Sequence, residues 1–272
     1  MFAEFFTYLA DGANWAGSTG IPARLGEHLY YSVLALAVGA LIAVPLGLVI
    51  GHTGRGEGII VGLANTMRAL PSLGLMTLLV LLMSSTLIPP ITALVALAVP
   101  PLLAGVYAGI ANVDRSAVDA ANAMGMTQWQ VLWRVEVPNA LPLVVGGLRG
   151  ATLQVVATAT IAAFVNLGGL GRYIFDGLAL YDYTRVLVGA VLVTALALVL
   201  DGLLALVVRL VQPGSGRLAV RDAALLAAID SRVAGPAAVT ASVSADGAGP
   251  RDGADGDGAD ADPAGASAPR RS

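Results

Sequence analysis

Five long apolar stretches punctuate this sequence, and the polar residues collect between them. The first, Leu29 to Gly51, carries no charge over its whole length. At 1.5 Å per residue it is long enough to cross a hydrocarbon core of about 30 Å. The others are Ile59 to Met83 (interrupted by Arg68 and Pro71), Leu87 to Ile110 (with Pro89, Pro90, Pro100 and Pro101), Pro142 to Leu167, and Val186 to Val211. This spacing predicts an all-α integral membrane protein with five transmembrane helices. It divides the chain into an extracytoplasmic N-terminal segment (1–28), a transmembrane domain (29–211) holding a polar insertion (111–141), a cytoplasmic segment (212–234) and a tail (235–272).

Five spans place the two termini on opposite sides, and arginine placement decides which side is which. Arg55, Arg115, Arg134, Arg209, Arg217, Arg221 and Arg232 fall on one side; only Arg24, Arg172 and Arg185 fall on the other. The N-terminus is therefore expected outside and the C-terminus in the cytoplasm. The first twenty residues contain no basic residue, so no cleavable signal is expected. From Gly235 onward the chain is Ala, Asp, Gly, Pro and Ser with few others and no Leu, Ile, Phe, Met, Tyr or Trp. Such a composition cannot offset its own ordering entropy, so the tail is expected to be disordered, and no role is assigned to it.

Composition narrows the chemistry. The 272 residues are 57% hydrophobic and 12% charged, about half the charged fraction of soluble domains. The net charge of −3 belongs to the Asp-rich tail, since residues 1–245 balance. There is no Lys, which excludes a phosphate-cradling P-loop and hence an ATPase. With no Cys and only His28 and His52, thiolate metal sites and clustered imidazole ligands are excluded too. Neither a metal nor a cofactor is expected.

The polar insertion Ala111 to Leu141 reads as two short helices. Ser116 with Asp119 fits a capping box for the first, which then runs from Ala117 to about Met124. Gly125 occupies the position of a left-handed C-terminal residue, and Thr127 with Gln130 fits a second capping box. In the second helix Trp129 and Trp133 share a face, suiting rings at a membrane surface. Val137 and Pro138 are expected to end that helix, and Pro142 to open the next span. From spacing alone, the insertion is equally readable as an interfacial re-entry device.

The residues carry more than the spacing. Asp119-Ala120-Ala121, then Gly125, Val135 and Val137-Pro138, resemble the EAA signature of ABC importer permeases (Glu-Ala-Ala, three residues, Gly, nine residues, Ile, one residue, Leu-Pro), with Asp, Val and Val for Glu, Ile and Leu. The similarity extends over roughly Gly26 to Val211. Arg149-Gly150-Ala151-Thr152, Ala157-Thr158-Ala159-Thr160, the run Gly168 to Gly177 and Leu70-Pro71-Ser72-Leu73 look like the osmoprotectant branch, importers of glycine betaine, carnitine or choline. Asn166 stands where that family more often has a small residue.

The resemblance implies a type I ABC importer permease core, similar to that of methionine importers. It implies no enzymatic activity in this chain, two cytoplasmic ABC ATPase subunits, an external substrate-binding protein, and a second permease copy or paralogue in the lipid bilayer. No nucleic acid is expected. Asp119, Ala120, Ala121, Gly125, Val135, Val137 and Pro138 would form the coupling segment that docks on the ATPase, with the alanines allowing close approach and Gly125 a fixed bend.

Other polar positions leave two readings each. Thr152, Gln154, Thr158 and Thr160 either line a translocation path or bond within and between helices. Arg149 and Asp201 sit at equal depth in antiparallel spans, either as an internal ion pair or snorkelling separately. Arg68 is either a functional charge or interfacial. Gly47/Gly51 and Gly146/Gly150 have helix-packing spacing. The loop Gly168 to Arg185, with Tyr173, Phe175, Tyr181 and Tyr183, is readable as a short outer helix meeting a binding protein or as an aromatic belt. A secondary transporter would usually carry an inverted repeat or a midplane acid, and an intramembrane enzyme a nucleophile–base or metal pair; the sequence offers none of these.

Overall fold

The computed structural model describes residues 2–211 except 59–61, 63–65, 67, 68, 84 and 86. Arg68 and the segments 212–234 and 235–272 thus lie outside the described residues. Every regular element among the described residues is helical. Helix α1 (Phe2–Ala10) and a 3₁₀ turn (Gly12–Trp15) lead into α2 (Ile21–Thr53), followed by α3 (Ser72–Leu82) and α4 (Ile88–Ala111). Two short helices, α5 (Arg115–Ala123) and α6 (Gln128–Val131), precede a π-helical turn (Leu132–Glu136) and α7 (Val137–Ala162). A 3₁₀ turn (Ala163–Val165), α8 (Gly171–Ala179) and α9 (Tyr183–Val211) complete the order.

Four segments are long and apolar enough to cross a membrane: Ile21–Thr53, Ile88–Ala111, Gln128–Val165 and Tyr183–Val211. The remaining expected span, Ile59 to Met83, is represented by α3, whose 11 residues are too few to cross alone; part of what precedes it lies outside the described residues. Helix α2 begins at Ile21, inside the segment expected to precede the first span. Pro22 suits a first helical turn, and Arg24 and Glu27 pair one turn apart at 2.9 Å, so the two charges are accommodated in the helix.

Helices α2, α4 and α7 form the centre, with α4 in the middle, α3 against α4, and α9 against α7 and α8. Their shared core comprises Ala35 and Ala43, Met76, Leu94, Ala98 and Leu102, and Ala151, Val155 and Ala159. Small residues dominate it because helices in lipid associate by close backbone approach rather than by a hydrophobic drive. A Cβ added at Gly47 or Gly51 would stand 2.7 Å from the Cβ of Val106 or Ile110, which bears out the expectation that this pair serves helix contact. The Gly146/Gly150 pair differs: a Cβ added at either would meet no neighbouring element within 4 Å, and it is Gly147 that meets a neighbour, with Gly105 of α4. Leu198, Leu203, Leu206 and Leu210 of α9 are exposed, the surface a lipid-facing helix needs.

Candidate functional site

The candidate coupling segment is built from short-range geometry that its sequence dictates. Helix α5 is capped by Asp114, whose Oδ1 accepts from the Ser116 backbone N–H at 2.9 Å. This corrects the expected Ser116/Asp119 capping box: Asp119 lies one turn inside the helix, exposed, and caps nothing. The Ser116 N–H holds the Asp114 carboxyl below the ordinary carboxylate value. At the other end, Gly125 adopts φ +79°. Its N–H donates to Asn122 O at 2.9 Å and that of Met126 to Ala121 O at 3.2 Å. These two bonds make a Schellman turn, whose left-handed residue favours glycine. Gln128 Nε2 reaches back to Asn122 Oδ1 at 3.1 Å and braces the bend.

The Thr127/Gln130 capping box forms in both directions, at 3.4 Å and 2.9 Å. Ala121 is buried, whereas Asp119, Ala120, Ala123, Met124 and Gly125 are exposed. The bend thus presents a small-residue knob with one acid. Trp129 and Trp133 stack edge to face at 5.6 Å on an exposed flank.

Pro138 does not end the second helix. Gln128 to Val165 runs as one segment, because the chain passes from α6 into a π turn just before the proline. Pro138 has no N–H and its ring would crowd the carbonyl four residues back; a widened turn relieves both problems. Asn139 Nδ2 donates to the Val135 carbonyl at 2.7 Å in this turn. Val137 packs against Ile110, Val113, Leu132 and Ala140, which tie the segment to the ends of α4 and α7. Val135 is half-buried and Pro138 exposed. Within the π turn, buried Glu136 meets His52 at the end of α2, Oε2 to Nδ1, at 2.6 Å. Sequence reasoning missed this pair; its only signal was that the chain's second histidine and an acid both stand at span ends on one side.

The polar residues of α7 separate into two groups. Thr152, Thr158 and Thr160 donate to the carbonyls of Leu148, Gln154 and Val156, four residues back on their own helix. Gln154, whose Nε2 donates to Thr158 Oγ1 at 3.3 Å, also lines a cavity of about 670 Å³ with Ser72, Pro71, Leu97, Pro100, Pro101 and Gly150. Pro100 and Pro101 lack the N–H groups that would engage the carbonyls of Ala96 and Leu97. Between α7 and α9, the partly exposed Arg149 Nε and Nη2 donate to the two carboxylate oxygens of Asp201 at 2.5 and 2.7 Å, joining the two helices.

At the end away from the coupling segment, the loop Gly168 to Arg185 contains the helix α8. Glu27 of α2 clamps the turn before it, accepting from the Gly169 N–H at 2.7 Å. Gly169 has φ +91°, and an added Cβ at Gly168 would collide with that carboxylate. Tyr173 is buried and donates to Thr19 O at 3.0 Å, and burial pushes its phenol above the ordinary value. Phe175 packs on Phe164, while Tyr181 and Tyr183 are exposed, so the aromatics are dispersed and form no cage. Among the described residues no His, Asp or Glu cluster could hold a metal ion.

Comparison with known proteins agrees with this architecture. The profile of the family described as "Binding-protein-dependent transport system inner membrane component" matches residues 43–213, more than half of the chain. The chain is 38% identical over 190 residues, 70% of its own length and 88% of the relative's, to the glycine betaine/carnitine/choline transport system permease protein OpuCB of Bacillus subtilis (strain 168). It is also 38% identical over 187 residues (69% and 86%) to the choline transport system permease protein OpuBB of the same organism. Among solved structures, a chain of the MetNI methionine ABC transporter in an inward-facing conformation superposes with a TM-score of 0.64 at 21% identity, covering 71% of this chain and 96% of that one. Such a likeness speaks for the fold, which is that of the methionine-importer permeases. With the family profile spanning the central helices, the chain belongs to the binding-protein-dependent transport system inner membrane components, as the multi-pass permease of an ABC importer whose ATPase is a separate subunit.

Proposed function

We propose that this permease imports small quaternary-ammonium compatible solutes of the glycine betaine, carnitine and choline kind. The observation that carries the reading is the identity to two permeases named for those solutes over more than two thirds of the chain. In this reading the N-terminus and the α8 end face outside, where a substrate-binding protein delivers solute, and the bend at Gly125 faces the cytoplasm. A second copy or a paralogue completes the pathway. The cavity beside Gln154, between the prolines of α4 and the start of α3, is suited to the path because it combines room for a small solute with the Gln154 side-chain amide and Ser72 on its wall. The three threonines of α7 are spent on their own helix and supply packing instead. Arg149 and Asp201 neutralise each other within the bilayer, which suits a brace between α7 and α9 rather than a solute contact. The exposed knob Asp119 to Gly125 seats in a groove of the ATPase, and the π turn with His52 and Glu136 passes its movement to α2 and α7.

Reconstitution with the ATPase and binding protein tests this reading. Hydrolysis should be stimulated by binding protein loaded with glycine betaine, carnitine or choline, and amino acids should give no stimulation. Stimulation by an amino acid alone would reassign the substrate.

A further inference from the structure

Helix α1, the turn after it, the start of α2, α8 and the start of α9 enclose a cavity of about 250 Å³ at the end away from the coupling segment. Three guanidiniums, from Arg24, Arg172 and Arg185, line it against one carboxylate, Asp176. Two of them are already engaged: Arg24 with Glu27 at 2.9 Å, and Arg172 with Asp176 at 3.1 Å. Arg185 makes no ion pair among the described residues, and its Nε is buried without a hydrogen-bond partner. The nearby Asp182 carboxylate is occupied by the Arg185 backbone N–H at 3.1 Å. The Arg185 Nε is closed off from the cavity as well as from bulk water, so what Arg185 offers a ligand is the rest of its guanidinium, which no carboxylate among the described residues engages. Arginine's planar fork matches a carboxylate at two points.

The opposite requirement is met on the same walls. Tyr8 and Tyr173 line the cavity with rings at 89° and centroids 6.5 Å apart. Ring faces attract quaternary ammonium, while the Asp176 carboxylate on the same wall is already paired with Arg172. The volume lies just under the ~300 Å³ at which pockets for drug-sized ligands begin, which suits a compact polar molecule. A docking acidic side chain would use the arginines but leave the aromatic wall idle.

We infer that this cavity binds a small zwitterion, Arg185 holding its carboxylate and the tyrosine wall its quaternary ammonium, as the first contact of delivered solute with the permease. The inference rests on the reading of the α8 end as the delivery side. The test uses the full complex of permease and ATPase in lipid nanodiscs with binding protein omitted, and equilibrium dialysis of labelled glycine betaine and of choline, which has the ammonium but no carboxylate. Glycine betaine should bind saturably and choline about tenfold more weakly or worse, since a charge-assisted contact is missing. Arg185→Ala should weaken glycine betaine by about the same factor and should not weaken choline, a cation that loses a like charge beside it; Arg185→Lys should recover part of the loss. The comparison of the two solutes on the unaltered complex remains decisive even where Arg185→Ala misfolds. Absent or carboxylate-indifferent binding overturns the inference. So does an Arg185→Ala complex that binds solute normally but captures loaded binding protein poorly, which would make the cavity a dock for an acidic side chain. Binding-protein-driven uptake is scored separately: uptake without direct binding defeats this inference alone, and absence of any uptake defeats the functional reading.

Discussion

At the residue scale, Gly125 is the position where the proposed coupling segment is most exposed to a single change. Its φ of +79° is left-handed, and nothing lies within 4 Å of a Cβ placed there, so a substitution meets backbone strain and no clash. Gly125→Val should therefore cost about 1–2 kcal/mol of local conformational energy, concentrated in the Schellman turn. The spans do not depend on that turn, and the variant should insert normally while losing solute-stimulated ATP hydrolysis; unchanged stimulation would show that the bend is not what the ATPase reads. Asp114→Ala should act in the same direction by uncapping α5, whereas Asp119→Ala should leave the helix start intact, because the carboxylate does not cap it. The cap has a pH sense as well. Because the folded Asp114 carboxyl is depressed, its contribution is complete above the ordinary carboxylate range and disappears as pH falls through the lower folded value. Both outcomes are readable by amide exchange at Ser116 and Ala117. The N-terminal cap was misread from sequence because Asp114 and Ser116 are both good caps, and the three-residue spacing to Asp119 favoured the wrong one. The Thr127/Gln130 box and Gly125 were legible because each is settled within a few residues of chain.

At the element scale, what was legible is what helical depth can determine. Equal depth in antiparallel spans left Arg149 and Asp201 readable either as a pair or as two separately snorkelling charges, and they meet in a two-point contact. Arg149→Ala and Asp201→Ala should each destabilise the α7–α9 packing by stranding a charge in the bilayer, and the double change should cost less than the sum. Strict additivity in thermal unfolding of the detergent-solubilised complex would show that the contact contributes nothing. Depth says nothing about which helix ends abut, so Glu27 with Gly169, 142 positions apart, could not be read from it, and His52 with Glu136, 84 apart, showed only as a histidine and an acid at span ends on one side. Pro138 misled for a different reason. An interior proline usually stops or kinks a helix, and only the preceding π turn lets this one pass. The glycine pairs show the same division. Spacing identified surfaces that can approach closely, but not that Gly147 rather than Gly146 faces Gly105. Gly105→Ala should place a Cβ 2.5 Å from the Gly147 Cα and weaken the α4–α7 contact, at a cost of roughly 1–3 kcal/mol. Gly146→Ala should leave that contact alone, and the thermal midpoints of the two variants check the difference.

At the scale of the whole molecule, the two ends of the bundle have opposite characters that suit opposite partners. One end carries the bent, exposed knob with two tryptophans beside it, and the other carries an arginine-lined cavity under a short amphipathic helix. An importer needs this polarity, since solute must arrive at one end and the energy of hydrolysis at the other. The chain contains no Cys, so single cysteines report position without interference. Ala121 is a poor site for one because it is buried, whereas Ala120 and Ala123 are exposed on the knob and Tyr181 is exposed at the opposite end. Ala123→Cys should cross-link to a cysteine on the ATPase surface, and the yield should change between nucleotide-free and ATP-trapped complexes, because a knob that transmits force must shift against its groove. Tyr181→Cys should give no ATPase product, and should cross-link instead to loaded binding protein. A reversal of the two partners would overturn both the coupling assignment and the orientation inferred from the arginines, because the same end of the bundle cannot serve delivery and drive.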